Sequence, residues 1–275
     1  MNSATGQVVV AGGFDDVRSK EIRFLEEASK LGKLTVVLWS DESDRRLTGK
    51  APKFPLAERK YFLEGIRYVS QVKVAEAPAD PDALPAVAGG QPQIWVVHEA
   101  RGSAAKRAFC TAHGLEYRVL SDGDLVGFPV QAPSPSTPAR QKVVVTGCYD
   151  WFHTGHVRFC EEVSAYGDLY VVVGNDRTIR QLKGEGHPLI GEAERRYVVG
   201  AVRFVTQALI SSGEGWLDAD PEIRVLKPDI YAVNEDGDKG GKREYCAKLG
   251  IQYLVLKRTP APGLPRRTST DLRGF

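Results

Sequence analysis

Val143-Val144-Val145-Thr146-Gly147-Cys148-Tyr149-Asp150-Trp151-Phe152-His153-Thr154-Gly155-His156-Val157-Arg158-Phe159 is the stretch on which the reading of this chain turns. It opens with an apolar run too short for a helix, as expected of a buried parallel strand. A glycine turn follows, and His153-Thr154-Gly155-His156 leads into an amphipathic segment from Val157 to Ala165. Two imidazoles three residues apart, with glycine between them at a helix start, set ring donors beside backbone N–H groups. A helix N-terminus already favours anions, so such a place suits a polyphosphate. Glycine at 155 lets a phosphate chain come close to the backbone.

Outward from this turn, the first half of the chain repeats the second. Val8-Val9-Val10-Ala11-Gly12-Gly13-Phe14-Asp15 aligns with Val143 to Asp150 without a gap, and Arg23-Phe24 falls on Arg158-Phe159. Further on, Glu58-Arg59-Lys60-Tyr61 mirrors Glu194-Arg195-Arg196-Tyr197, and Ile94-Trp95-Val96-Val97 mirrors Ile230-Tyr231-Ala232-Val233. At the turn itself, Arg18-Ser19-Lys20-Glu21 stands where His153-Thr154-Gly155-His156 would be. Agreement in this order reads as an internal duplication.

Short Val/Ile-rich runs alternate with helical stretches, which predicts an α/β chain of two tandem Rossmann-like parallel-sheet domains. The expected organisation is residues 1–130 as a degenerate, non-catalytic copy, 131–140 as a Pro/Ser linker and 141–275 as the catalytic domain. In the second copy, strands are expected near 143–147, 169–174, 207–211, 229–233 and 252–256. Helices are expected near 155–166, 175–182, 191–201, 218–226 and 240–249.

The length of 275 residues allows two ordinary domains, and 42% hydrophobic with 26% charged residues is globular composition. A net charge of +2 gives no electrostatic case for nucleic acid. No apolar run reaches the ~18 residues of a membrane span, and the polar N-terminus lacks a signal-peptide core, so a cytoplasmic location is expected. Cys110, Cys148, Cys160 and Cys246 show no CxxC spacing, hence no zinc site or disulfide framework, and Cys148 is expected to pack as a small apolar residue.

Gly147 to His156 resembles the HxGH signature of the nucleotidyltransferase superfamily that includes the cytidylyltransferases. The resemblance covers the whole second half. It implies a catalytic role for His153 and His156 on the phosphates, with His156 assisting pyrophosphate departure, and nucleotide contacts at Gly147, Tyr149 and Gly155. Arg180-Gln181-Leu182-Lys183-Gly184-Glu185-Gly186-His187-Pro188 resembles the family's KGxGRP-like loop, which implies that Lys183 approaches the α-phosphate; His187 stands where that pattern has arginine. The first copy has Thr48 in place of Lys183.

Arg195 to Val205 resembles the ERxxxLxxxRYVD helix. Its Arg195 and Arg203 recur as Arg59 and Arg67, so both are site candidates with a structural reading at least as good. After the last strand, Leu256-Lys257-Arg258-Thr259 and Arg266-Arg267-Thr268-Ser269-Thr270-Asp271 are similar to the family's RTxGISTT segment, interrupted by an insertion. Arg258 or Arg267 would be its arginine, and adjacency to the hydroxyls of Thr268, Ser269 and Thr270 favours Arg267. Ser269 or Thr270 would cap a final helix. Asn234-Glu235-Asp236 follows a strand where the superfamily recognises base and acceptor, with Asp236 the stronger candidate because it becomes Ala100 in the first copy. Asp150 matches Asp15 and is expected to order the turn.

The resemblance implies nucleotidyl transfer from CTP to a small phosphorylated acceptor of the glycerol 3-phosphate, phosphoethanolamine or phosphocholine class, releasing pyrophosphate. ATP-dependent adenylyl transfer to a sugar phosphate or mononucleotide is the alternative, and a nucleotide-binding sensor or scaffold a third. Magnesium is expected as the triphosphate's counter-ion with no protein metal site. A pseudo-twofold pairing of the copies, or further homo-oligomers, would fit the superfamily's habit of dimerising. A regulatory nucleotide site in the first copy would use Arg18, Lys20 and Lys50, but Glu21 and Asp16 sit beside them.

Overall fold

A strand covered by helices on both faces needs apolar side chains on both, and the Val-rich runs supply them. In the computed structural model, which describes residues 6–85, 92–135, 139–269 and 272, the chain divides into two units, Met1–Gly127 and Phe128–Phe275. The first contains β1 (Gln7–Gly12), α1 (Ser19–Ser29), β2 (Lys33–Trp39), α2 (Asp41–Thr48), α3 (Leu56–Glu64), β3 (Gln71–Ala75), β4 (Ile94–His98), α4 (Ala104–Ala112) and β5 (Glu116–Leu120). The second contains β6 (Lys142–Gly147), α5 (Thr154–Ser164), β7 (Asp168–Val173), α6 (Asp176–Lys183), α7 (Glu192–Gly200), β8 (Val205–Ile210), α8 (Asp220–Leu226), β9 (Ile230–Asn234), α9 (Lys242–Leu249) and β10 (Gln252–Leu256).

Each unit carries one five-stranded sheet, in the orders β3-β2-β1-β4-β5 and β8-β7-β6-β9-β10. All pairs are parallel, and the two orders are the same when each sheet is counted from its own first strand. The second unit's elements lie within two residues of their predicted ranges. The order reverses beside the first strand of each sheet, which opens a crevice at the carboxyl ends of β1 and β4, and of β6 and β9.

Val143, Val144 and Val145 are fully buried in β6, and β7 is buried along its whole length. One face of the second sheet is closed by Ala219 and Ile223 of the α8 region and Cys246 of α9, packed on Val144, Val172, Tyr231 and Val233. In the first unit, Val9, Val37, Trp39, Trp95, Val97 and Cys110 form the corresponding cluster.

The segment after Gly127 differs from the expected boundary. Residues from Phe128 onward belong with the second unit, where Arg196 Nη2 donates to the Phe128 carbonyl at 2.8 Å and Gln131 Nε2 to the Tyr197 carbonyl at 2.9 Å. Ser134 N–H donates to the Thr206 carbonyl at 2.9 Å. Proline-rich chain has few donors of its own, and here the helix and strand beside it supply the partners. Residues 136–138 of the expected linker lie outside the described residues. Among the described residues no helix is long and apolar enough to cross a membrane.

Candidate active site

The two histidines sit where β6 hands over to α5. His153 is the N-cap, with extended backbone (φ −148°, ψ 175°), and its Nδ1 accepts from Gly155 N–H at 3.0 Å. His156 completes a reciprocal cap, Nδ1 accepting from His153 N–H at 3.3 Å. This is a capping box built from imidazoles in place of Ser and Glu. A ring nitrogen that accepts from a backbone N–H is unprotonated, so in the neutral ring the proton lies on Nε2. On this geometry the proton of each ring lies on Nε2, which in His153 is buried.

The rings pack 4.0 Å apart at their centroids. Phe152 stacks on His156 at 5.1 Å and 20°, and Tyr149 meets it edge-on at 5.4 Å. His153 is 4% exposed. Burial first, then the neighbouring His153 and Arg258, hold the His156 imidazole well below its ordinary pKa. It is a neutral donor at physiological pH.

Glycine is required twice. A Cβ on Gly155 would lie 2.8 Å from the His153 ring, and one on Gly147 would lie 2.9 Å from the Tyr149 ring. Tyr149 holds φ at +57°, and burial pushes its phenol well up, so it acts as a buried wall and not as an acid.

Beside the α5 N-terminus lies a small cleft whose lining includes Thr154, Gly155, Asn234, Arg258, Arg266 and Arg267. Arg258 organises it. Its Nη1 pairs with the Asp236 carboxylate and its Nη2 donates to the Arg267 carbonyl at 3.0 Å. The two arginines between which the sequence left a choice thus meet, one pinning the backbone of the other. Asp236 is engaged as the partner of Arg258. Asn234 ends β9 and its side-chain oxygen is buried without a hydrogen bond among the described residues. Thr268 is half-buried, and Ser269 Oγ donates to the Trp151 carbonyl at 3.3 Å, closing the segment onto the histidine turn. Thr270 lies outside the described residues, as does the start of the predicted final helix.

Other candidates fall outside the cleft. Lys183 is the exposed last residue of α6 and is not part of the lining. The His187 ring stands 3.8 Å from the Asp150 carboxylate. Arg195 is 1% exposed and donates to the carbonyls of Ile190 at 2.7 Å and Cys148 at 2.6 Å and to Asp176 at 2.5 Å. Those partners make it a tie between three loops. Arg203 is exposed just before β8, at the amino ends of the strands and so a strand's length from the cleft. Asp150 accepts from Leu189 and Ile190 N–H at 2.9 Å each, which fixes the turn to the start of α7.

Sequence reasoning passed over Phe152, whose signal was its position within the motif, and it expected Tyr149 to contact nucleotide, whereas both rings pack around His156. It also passed over the network joining β7 and β8: Asn175 Nδ2 donates to Ser211 Oγ at 3.1 Å, and Ser211 Oγ to Asp218 at 2.5 Å.

A family model described as cytidylyltransferase-like matches residues 144–260, the span that holds the histidine turn and reaches the start of the cleft's closing segment. An FAD synthase of Ferroglobus placidus is 37% identical over 120 residues, 42% of this chain and 75% of that protein. The chain belongs to the cytidylyltransferase-like nucleotidyltransferase family. An FAD synthase of Methanocella paludicola is 31% identical over 48% of this chain and 93% of its own length. The bifunctional protein HldE of Pelobacter propionicus is 33% identical over 47% of this chain, which spans only 26% of that relative. As a member of this family, the nucleotidyltransferase carries its HxGH pair on the helix cap described above.

Proposed function

We propose that the second unit transfers a nucleotidyl group from a nucleoside triphosphate to a small phosphorylated acceptor and releases pyrophosphate. The observation that carries this reading is the α5 N-terminus, where two imidazoles cap the helix through Nδ1 and the neutral His156 ring stands beside backbone N–H groups and an arginine-lined cleft. An oxygen of the acceptor phosphate attacks the α-phosphorus, the bond to the bridging oxygen of the β-phosphate breaks, and the electron pair leaves with pyrophosphate. The acceptor is already an anion, so no strong base is needed. His156, by donating from Nε2, offsets the charge that grows on the departing oxygen, and His153 orients the neighbouring phosphate. Arg258 and Arg267 add positive charge at the same cleft. Lys183 would join when the 184–188 loop closes on bound nucleotide.

Enzymes of this kind commonly use a divalent cation. Among the described residues of the second unit no three His, Cys, Asp or Glu groups converge. Magnesium held through the triphosphate would supply charge neutralisation across the phosphates.

The names of the FAD synthase relatives favour adenylyl transfer from ATP, since their product contains adenine. The Arg-Thr and Thr-Ser-Thr segments favour CTP. Pyrophosphate release should be measured with each triphosphate against a panel of phosphorylated acceptors, alongside His156→Ala. Release with ATP alone assigns the adenylyl reaction, and release with CTP alone the cytidylyl one. Silence with both triphosphates across the panel overturns the enzymatic reading of this cleft.

A further inference from the structure

The first unit lacks the histidines, yet it holds far more open space at the same end of its sheet. Two clefts of about 720 and 490 Å³ share Phe14, Asp15, Trp39, Leu47 and Arg101. They open at the carboxyl ends of β1, β2 and β4, where the strand order reverses and parallel sheets bind ligands. Roughly 300–1,000 Å³ is the usual size of a small-molecule site.

Two charged groups in this space make no hydrogen bond or close ion pair among the described residues, although Arg59 and Arg101 both act electrostatically on Asp44. Asp44 is 6% exposed, and no donor reaches its carboxylate among the described residues. Arg101 makes no hydrogen bond or ion pair among them either. Its Nη1 lies 3.1 Å from where a Cβ on Gly12 would stand, over the end of β1. By contrast, the nearby carboxylates are satisfied: Asp15 accepts from Lys53 and Phe54 N–H at 2.7 and 2.8 Å, Asp16 pairs with Arg18 at 2.7 Å, and Glu21 accepts from Arg18 N–H at 3.0 Å.

The Asp44 position is built at a cost. In the aligned second copy, Ile179 occupies it and is 4% exposed in the core. Cys148 there aligns with Gly13, and a Cβ on Gly13 would overlap the Asp44 carboxylate. The first unit therefore has a glycine and a buried carboxylate where the second has Cys148 and the core residue Ile179. A largely buried carboxylate that receives no hydrogen bond is costly even with arginines nearby, and a ligand that donates to it offsets part of that cost. A carboxylate after the second strand of a parallel sheet, beyond a glycine turn, suits ribose hydroxyls. A guanidinium at the switch point whose N–H groups make no hydrogen bond among the described residues suits a phosphate or other anion. Phe14 and Trp39 supply a flat wall.

We propose that the first unit binds a small molecule carrying a ribose-phosphate group, its hydroxyls donating to Asp44 and its phosphate held by Arg101. Free pentose phosphates and mononucleotides share this chemistry, and the aromatic wall discriminates between them. The site is separate from the nucleotidyl-transfer cleft and does not depend on that reaction.

The test is isothermal titration of the full chain with AMP, CMP, ribose 5-phosphate and inorganic phosphate. The second unit is itself proposed to take nucleotides, so the diagnostic signal is the part that first-unit variants remove. Arg101→Gln and Asp44→Asn should each weaken that binding at least tenfold, while triphosphate turnover in the second unit is unchanged. Asp44→Asn should also raise the melting temperature of the ligand-free chain, which separates lost recognition from misfolding. Tighter binding of AMP or CMP than of ribose 5-phosphate assigns a mononucleotide, and equal binding assigns the free sugar phosphate. Binding of inorganic phosphate as tight as ribose 5-phosphate, or titrations that neither variant alters, would overturn the proposal.

Discussion

Two aligned helix starts in this chain have opposite electrostatics. In the second unit His153 caps α5 and His156 returns the bond; in the first, Arg18, whose side chain carries no acceptor, stands at the N-cap, and only Glu21 reaches back, accepting from Arg18 N–H at 3.0 Å. Each arrangement satisfies backbone donors, and both helices form. Only the imidazole cap keeps ring N–H donors at the helix start without a fixed negative charge. Glu21 puts a carboxylate where a triphosphate would have to sit, and Lys20, aligned with Gly155, is tied to Asp122 at 2.7 Å. The caps teach that the local fold tolerates either chemistry, and that function is decided by what the capping groups have left to offer.

The largest effect expected is on turnover. His156→Ala should lower the rate of pyrophosphate release by about 10²–10⁴-fold while circular dichroism stays native, because a donor to developing charge is lost and the helix keeps most of its packing. Activity within tenfold of the parent would remove His156 from the chemistry. Next comes Arg195→Met, expected to destabilise by about 3–5 kcal/mol in denaturant unfolding, since it strips buried carbonyls and Asp176 of their partner. Its counterpart Arg59→Met should do the same, because Arg59 binds the Phe54 and Trp39 carbonyls at 3.0 and 3.1 Å and Asp41 at 2.5 Å. A large loss of activity with unchanged stability for Arg195→Met would reassign it to catalysis.

Asp150→Asn should cost about 1–3 kcal/mol, through its bonds to Leu189 and Ile190, and Asp15→Asn a comparable amount. Thermal unfolding of the pair reads this directly, and the comparison weakens if only one of them responds.

A pH dependence separates the units more finely. Burial first, then Asp15 and Asp41 against the opposing Arg59 and Arg101, sets the Asp44 carboxyl above the usual carboxylate range. The folded state then holds the proton more tightly than the unfolded one. Stability from this group falls as pH rises from the unfolded value through the folded one, and the cost is complete above it. The gain from Asp44→Asn should accordingly be present at pH 7 and vanish below about pH 4. For His156 the shift is downward, so pyrophosphate release should show no loss from protonation of this ring between about pH 6 and 8. A break in the profile near pH 6.5 that His156→Ala abolishes would contradict the buried, neutral ring. Smallest of all should be the graft: Arg18→His with Glu21→His, in a His156→Ala background, should restore no measurable pyrophosphate release. Recovery would mean the first unit lacked only its imidazoles.

The strands and their order were legible because runs such as Val143–Val145 have only one comfortable environment. The histidine turn was legible because its glycine and imidazoles sit at fixed spacing between a strand and a helix. What lay beyond reach was pairing across distance. Nothing in the string says that Arg258 would reach both Asp236 and the Arg267 carbonyl, which turned two alternatives into one assembly. Lys183 matched a pattern, yet its side chain is exposed outside the cleft, because pattern fixes the order of residues and not the path of a five-residue loop. Asp44 drew no notice in the sequence, and only the space left by Gly13 gives it meaning.

The grip of Asp150 and Arg195 on Leu189 and Ile190 has one more consequence. It anchors the far abutment of the span that begins at Lys183, so that span behaves as a drawbridge with a single fixed pier. Changing its length by one residue would swing the ammonium through an arc and leave the pier standing, and reach, more than charge, then becomes the property on which variants of this loop differ.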